Sequence, residues 1–343
     1  MSYAEEQPQR EQSKTKVILL HTDNLTYDQY RHPGAQILTG NVQFQHDGVL
    51  MYCDSACFYE ATNSFDAFGH VKMVQGDTLD LVGDMLLYNG LDQLARVRHN
   101  VVLTHRESKL YTDSLDYDRL YELGYFFEGG KLVDKDNVLT SDWGQYSPPT
   151  RQAVFNYNVK LENPKFTLIS DTLNYNTLTS MAEIVGPSNI DSGDNHIYSE
   201  SGFYNTQTEE AILLDRSIVT NKGRKMVGDS LYYDSKSGVG EGFRNVVYTD
   251  EVNKNMLTGN YCYYNDSTGY SMATDSAVAI DYSQRDTMYM HADTFKVYTF
   301  YMDTDSMYRE VRGYHKVRSY RMDVQSVCDS LVFDSRDTCI TMY

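Results

Sequence analysis

The chain is 343 residues long and carries 48 Asp+Glu against 30 Lys+Arg, a net charge of −18. At about 150 residues per domain the length suggests two domains, and acidity on this scale argues against nucleic-acid phosphates and anionic bilayers as partners. Aromatic usage is skewed to 30 Tyr against 13 Phe and 1 Trp, with only 6 Pro; tyrosine suits a strand, where the ring packs and the hydroxyl reaches water or a polar partner, so an all-β chain is expected.

In chain order, Met1 to Lys16 is polar and without an apolar stretch, and it is expected to be a disordered leader or the remnant of trimming. No run approaches the ~18 apolar residues of a membrane span. From Thr22 onward one pattern, D-[ST]-L-x-Y-[DN], recurs. It stands at Asp23–Asp28, Asp84–Asn89, Asp113–Asp118, Asp171–Asn176 and Asp229–Asp234, with weaker copies at Asp142–Tyr146, Glu200–Asn205 and Asn260–Asn265. Its tyrosines, Tyr59, Tyr88, Tyr117, Tyr146, Tyr175, Tyr204 and Tyr233, follow one another at intervals of 29 residues. About half a period away lies a second anchor, a turn residue before a β-branched one: Gly40-Asn41-Val42, Gly69-His70-Val71, Asn100-Val101, Asn158-Val159, Asn189-Ile190, Ser217-Ile218 and Asn245-Val246. Each period is therefore expected to hold two alternating strands separated by polar turns. Beyond Tyr264 the pattern reads as compressed and irregular, restarting at Asp275, Asp293 and Asp329.

A 29-residue unit of two strands cannot bury its own apolar face, so stability must come from neighbour-on-neighbour stacking. This predicts one elongated β-roll over residues 17–343, despite the length. In the first anchor Leu and Tyr share a face, which stacks Leu25, Cys57, Leu86, Leu115, Gly144, Leu173, Gly202, Leu231 and Cys262 in one column. Cys53 and Cys57 would stand roughly 13 Å apart on a strand, too far for a disulfide, so free and mostly buried thiols are expected.

The phased alternation of the D-S-L-x-Y-D strand with the G-N-V strand resembles the OstA-like proteins of the LptA family, most nearly the long OstA-like proteins of Bacteroidetes-type bacteria. The resemblance spans roughly residues 17 to 343. It implies an open β-jellyroll (β-taco) in the periplasm that shields lipopolysaccharide acyl chains between the two membranes. It also implies partners: lipopolysaccharide or a related glycolipid, and other β-jellyrolls or a second copy joined end to end by strand addition. A lipid conduit needs apolar lining, since each methylene removed from water is worth ~0.8 kcal/mol. The second-anchor strands supply the candidates: Val42, Phe44, Val71, Met73, Val101, Leu103, Val159, Leu161, Ile218 and Val246. The competing expectation is that they pack on one another as ordinary core.

The recurrent Asp23, Asp84, Asp113, Asp142, Asp171 and Asp229 form a ladder that reads either as calcium ligands or as turn acids capping backbone amides. The glycine-rich calcium nonapeptide is absent, which favours the turn. The nine histidines are scattered without H-E-x-x-H or C-x-x-C spacing, there is no G-x-S-x-G, and Gly238–Phe243 misses the dinucleotide fingerprint at its sixth position. No enzyme, metal or cofactor is expected. Asn221-Lys222-Gly223-Arg224-Lys225, the densest basic cluster, reads as a solvated turn. The alternatives from other classes are a β-helical surface or polysaccharide-acting protein and a calcium-stabilised repeat.

Overall fold

The computed structural model describes residues 15–302, 304–336 and 339–343. Most of the expected leader lies outside them. Of its last two residues, Thr15 is tied down, its hydroxyl donating to Asp47 Oδ1 at 2.6 Å. The fold is all-β apart from one 3-10 turn at Glu60–Thr62, and the described strand pairs are antiparallel. Two compact units are present: residues up to Leu161 with Asn174–Leu178, and Glu162–Leu173 with Thr179–Tyr343.

Strands of 11 or 12 residues run in pairs through the first unit: Gln36–His46 with Val49–Tyr59, Ser64–Gln75 with Leu79–Asn89, and Leu94–His105 with Ser108–Asp118. The expected two strands per period are there, but the second anchor does not separate them. It lies in mid-strand. Gly40 and Asn41 stand opposite the single residue Asp54, Gly69 and His70 opposite Asp84, and His99 and Asn100 opposite Asp113. Each is a β-bulge with two consecutive residues at positive φ, as with Gly69 at 75° and His70 at 46°, which bends the strand sharply. A turn between strands would reverse the chain; a two-against-one bulge bends both strands and lets pairing resume.

The bulge also resets side-chain parity. In Val49–Tyr59 the buried positions are Val49, Met51 and Cys53 before the bend and Ala56 and Phe58 after it. Both halves of this strand thereby face the interior of the first unit. At this first period the phase slips by one residue, so Ala56 and Phe58 point inward where Cys57 and Tyr59 were expected. Leu25 is likewise exposed.

The second unit repeats the device at Arg244-Asn245 opposite Asn260, Asp275-Ser276 opposite Asp293, and His315-Lys316 opposite Asp329. Its later strands, Met288–Phe300 and Tyr308–Arg321, are 13 and 14 residues long, so this stretch lengthens the module where the sequence pattern read as compression. Asp275-Ser276 occupies the second-anchor place, a substitution that hid the continuing phase. All five cysteines are free, as expected; only Cys53 and Cys262 are buried.

Candidate functional site

The interior of the first unit is built from cross-strand rows. Phe44, Met51, Met73, Leu81, Leu103, Leu110, Leu132 and Leu139 stand opposite one another in succession across eight strands. A second row runs Leu38, Ala56, Ala67, Leu86, Val97, Leu115, Phe126, Gly144, Phe155 on the other side of the bend. Of the ten expected lining residues, nine are at most 2% exposed, and Phe44, Met73 and Leu103 share the first row. Ile218 is the exception. It is half-buried, and Val219 beside it turns inward at 4% exposure, because the bend falls at Asp215-Arg216, one residue earlier than the pattern implied, which makes Ser217 the first inward residue. These side chains pack into the interior: Phe44 of the first row stacks on Phe65, which stands opposite Tyr88, with centroids 4.1 Å apart.

The tyrosines form a third row. Tyr88, Ala95, Tyr117, Gly124, Tyr146 and Ala153 face each other in order, and Ala182, Tyr204, Ala211, Tyr233, Gly240 and Tyr264 do so in the second unit. Each ring has a small neighbour across the strand. A Cβ on Gly240 would stand 2.1 Å from the Tyr264 ring, so the small residue is required by the large one. Sequence reasoning missed this partner set, although Ala95, Gly124, Ala153, Ala182, Ala211 and Gly240 recur at the same interval of 29.

The tyrosine hydroxyls meet polar residues from the opposite ends of the bent strands. Tyr88 bonds His46 Nδ1 at 2.7 Å and accepts from Arg119; Tyr146 bonds His105 Nδ1 at 2.8 Å; Tyr175 donates to Asp134 Oδ2 and accepts from Asn137 Nδ2, both at 2.9 Å. His46 and Asp134 are 1% exposed. This buried polar seam joins the two ends of the folded-over strands, opposite the bulge corner. Burial lowers the pKa of His46, helped by Arg119 against the pull of Asp47, and burial lowers His105 with Arg106 and Arg151 acting in the same direction. The seam is therefore built on neutral imidazoles. The polar series His46, Gln75, His105, Asp134, Asn163, Ser192, Asn221 and Asp250 was a further periodic signal in the sequence.

The acid ladder sits at the bulges, not at strand entrances. Asn41, Asn100, Asn158 and Asn245 donate from Nδ2 to Asp23, Asp84, Asp142 and Asp229 at 2.7–2.9 Å, and His70 pairs with Asp54 at 2.7 Å. The carboxylates face amide donors of the next module. Among the described residues no group of His, Cys, Asp or Glu is placed to hold a metal ion.

In the second unit the seam positions are shorter, and two small cavities of about 10 Å³ each lie there. The first is lined by Val219, Asn221, Arg224, Met226, Tyr248, Tyr264 and Asp266; the second by Ile190, Ser192, Asn195, Ile197, Tyr204, Tyr233 and Ser235. The basic cluster is a tight hairpin turn at the rim of the first, with Lys222 and Gly223 at positive φ. It is not wholly solvated: Arg224 lies 3.3 Å from Asp266 and 3.7 Å from Asp250.

A folded-over antiparallel sheet with apolar rows inside and a polar closing seam defines a repeat β-jellyroll. A family model described as OstA-like protein matches residues 14–171 and 167–229, and the chain belongs to that family. Among solved structures it is similar to LptH, the LptA-homologous periplasmic component of the conserved lipopolysaccharide transport device from Pseudomonas aeruginosa. Identity is 16% over 32% of this chain and 82% of that one, with a TM-score of 0.30. No curated protein matches. No helix among the described residues is long and apolar enough to cross a membrane.

Proposed function

We propose that the protein is a non-enzymatic bridge of the bacterial periplasm that shields the acyl chains of lipopolysaccharide or a related glycolipid on their way to the outer membrane. The observation that carries this is the pair of apolar rows, directed by the bulges into one interior and closed on its far side by hydrogen bonds instead of covalent or apolar contact. Hydrocarbon would enter by parting the rows along that seam, and each methylene buried offsets ~0.8 kcal/mol of the opening cost. Family membership supports the same reading. Partners would be other β-jellyrolls or a second copy. Residues Val324 to Cys328 pair on one side only among the described strands, with Val327 78% exposed, which leaves an edge for strand addition.

The test is a photo-crosslinking residue at Val101 or Val159 in protein produced in a lipopolysaccharide-bearing bacterium. Glycolipid adducts at these buried positions, with glycolipid in the mass spectrum of the purified protein, are expected. Absence of both rejects the carrier reading.

A further inference from the structure

Strand Tyr308–Arg321 of the second unit holds Arg309, Arg312, Lys316, Arg318 and Arg321 against one acid, Glu310, in a chain of net charge −18. Three of these cations are matched: Arg309 lies 3.4 Å from Asp250, Arg312 pairs with Glu310, and Arg321 lies 2.6 Å from Asp323. Exposed Arg318 has no ion pair among the described residues, and exposed Lys316, at the bulge opposite Asp329, makes none with it. Cross-strand register sets Arg318 in a neutral field. On the arm beyond the bulge one row runs Val278, His291, Arg318, Val327 and the next Ile280, Tyr289, Tyr320, Gln325. No acid stands in either. The intervening row, Ala279, Met290, Ser319 and Ser326, has Met290 and Ser319 buried, which turns the other two rows outward. Tyr289 and Tyr320 are 46% and 51% exposed and directly opposite, their Cβ atoms about 4.5–5.5 Å apart, so two accessible rings adjoin the free cation. Both lie one residue inside the ends of their strands, and in the preceding modules such ends form the seam.

Resting on the glycolipid reading above, we infer that this arm is a docking surface for the acidic saccharide headgroup of the glycolipid: its phosphate or carboxylate on Arg318 and Lys316, a sugar ring against Tyr289 and Tyr320, sugar hydroxyls on His291 and Gln325. Charge complementarity selects an anion, because a guanidinium without a carboxylate partner keeps its fork of donors for one. The tyrosines select a sugar, since each ring offers an apolar face to pyranose C–H groups and a hydroxyl at its wet end. A headgroup left outside by a chain entering the seam lies beside these strand ends. A second copy fits worse, because a two-fold contact through this face would bring the same cations together.

Calorimetry of the full chain tests this with three probes: the phosphorylated core oligosaccharide released from lipopolysaccharide by deacylation, the same oligosaccharide after phosphatase treatment, and inorganic phosphate. The phosphorylated sugar is expected to bind roughly tenfold more tightly than either other probe, a preference lost in K316Q/R318Q, whose two side chains are exposed. Y289L/Y320L, which keeps apolar bulk and removes the rings, should weaken both sugars by roughly tenfold. If K316Q/R318Q keeps the preference, if Y289L/Y320L binds as the wild type does, or if inorganic phosphate binds as tightly as the phosphorylated sugar, the docking surface is overturned. Failure of both sugars to bind while Val101 or Val159 captures glycolipid overturns this surface and leaves the carrier reading standing. Binding as expected with no capture at either position rejects the carrier and leaves a saccharide-binding face.

Discussion

Asn100 adopts φ 52° in mid-strand and donates to Asp84 at 2.7 Å, so one side chain both tolerates the left-handed backbone and ties two modules together. Alanine there keeps the strain and loses the bond. Asn100→Ala should cost about 1–2 kcal/mol, read as a lower urea midpoint at unchanged slope. The seam tyrosines permit a sharper contrast. Tyr175 is bonded to Asp134 and Asn137, and loss of its hydroxyl takes one hydrogen bond from each of two buried polar groups. Tyr117 is equally buried, but its hydroxyl has no hydrogen-bond partner among the described residues, and burial raises its pKa. Tyr175→Phe should destabilise by about 1–3 kcal/mol while Tyr117→Phe is neutral or slightly stabilising. Equal losses in thermal melts would mean that the hydroxyls are not what the seam is made of.

At the scale of the element, the bulge decides which face a strand presents. Strand Ile218–Asn221 shows this, because Val219 stands opposite Ile197 and Met226 in the interior while Ile218 is turned away. Val219→Ala should cost about 1.5–3 kcal/mol and Ile218→Ala under about 1 kcal/mol, although isoleucine is the larger side chain. A reversed order in equilibrium unfolding would place the bend one residue later, at Arg216-Ser217. The tyrosine row obeys the same logic of paired sizes: a large ring is possible at Tyr264 because Gly240 leaves room for it.

For the molecule as a whole the seam makes stability depend on pH. His46 and His105 are held neutral in the fold below their ordinary value of 6.5, so the unfolded chain binds more protons once the pH drops under about 6.5. Stability therefore falls with acidification in that window. Exposed His70, raised by Asp54, works weakly in the opposite direction. Further down, Asp250 adds to the loss: burial would raise it, but its Asn253 hydrogen bonds and Arg309 and Arg224 hold it below the usual carboxylate range. Urea unfolding at about pH 7.5 and 5.5 should show the wild type losing stability and an H46Q/H105Q variant losing less. Matching losses in the two proteins would remove the histidines from the account.

The 29-residue spacing of the tyrosines and the alternation around them were sufficient to establish an all-β stack of two-strand modules, because a periodic apolar face that cannot be buried within one module must be buried by its neighbours. Nine of ten interior residues were legible for the same reason. The place of Gly-Asn within the strand was not, since two residues at positive φ serve a turn and a bulge equally well, and only pairing with the opposite strand distinguishes them. Nor could spacing alone join His46 to Tyr88 or Asp134 to Tyr175, residues about one and a half modules apart. That contact depends on the bend angle summed over stacked strands, a property that no single segment possesses.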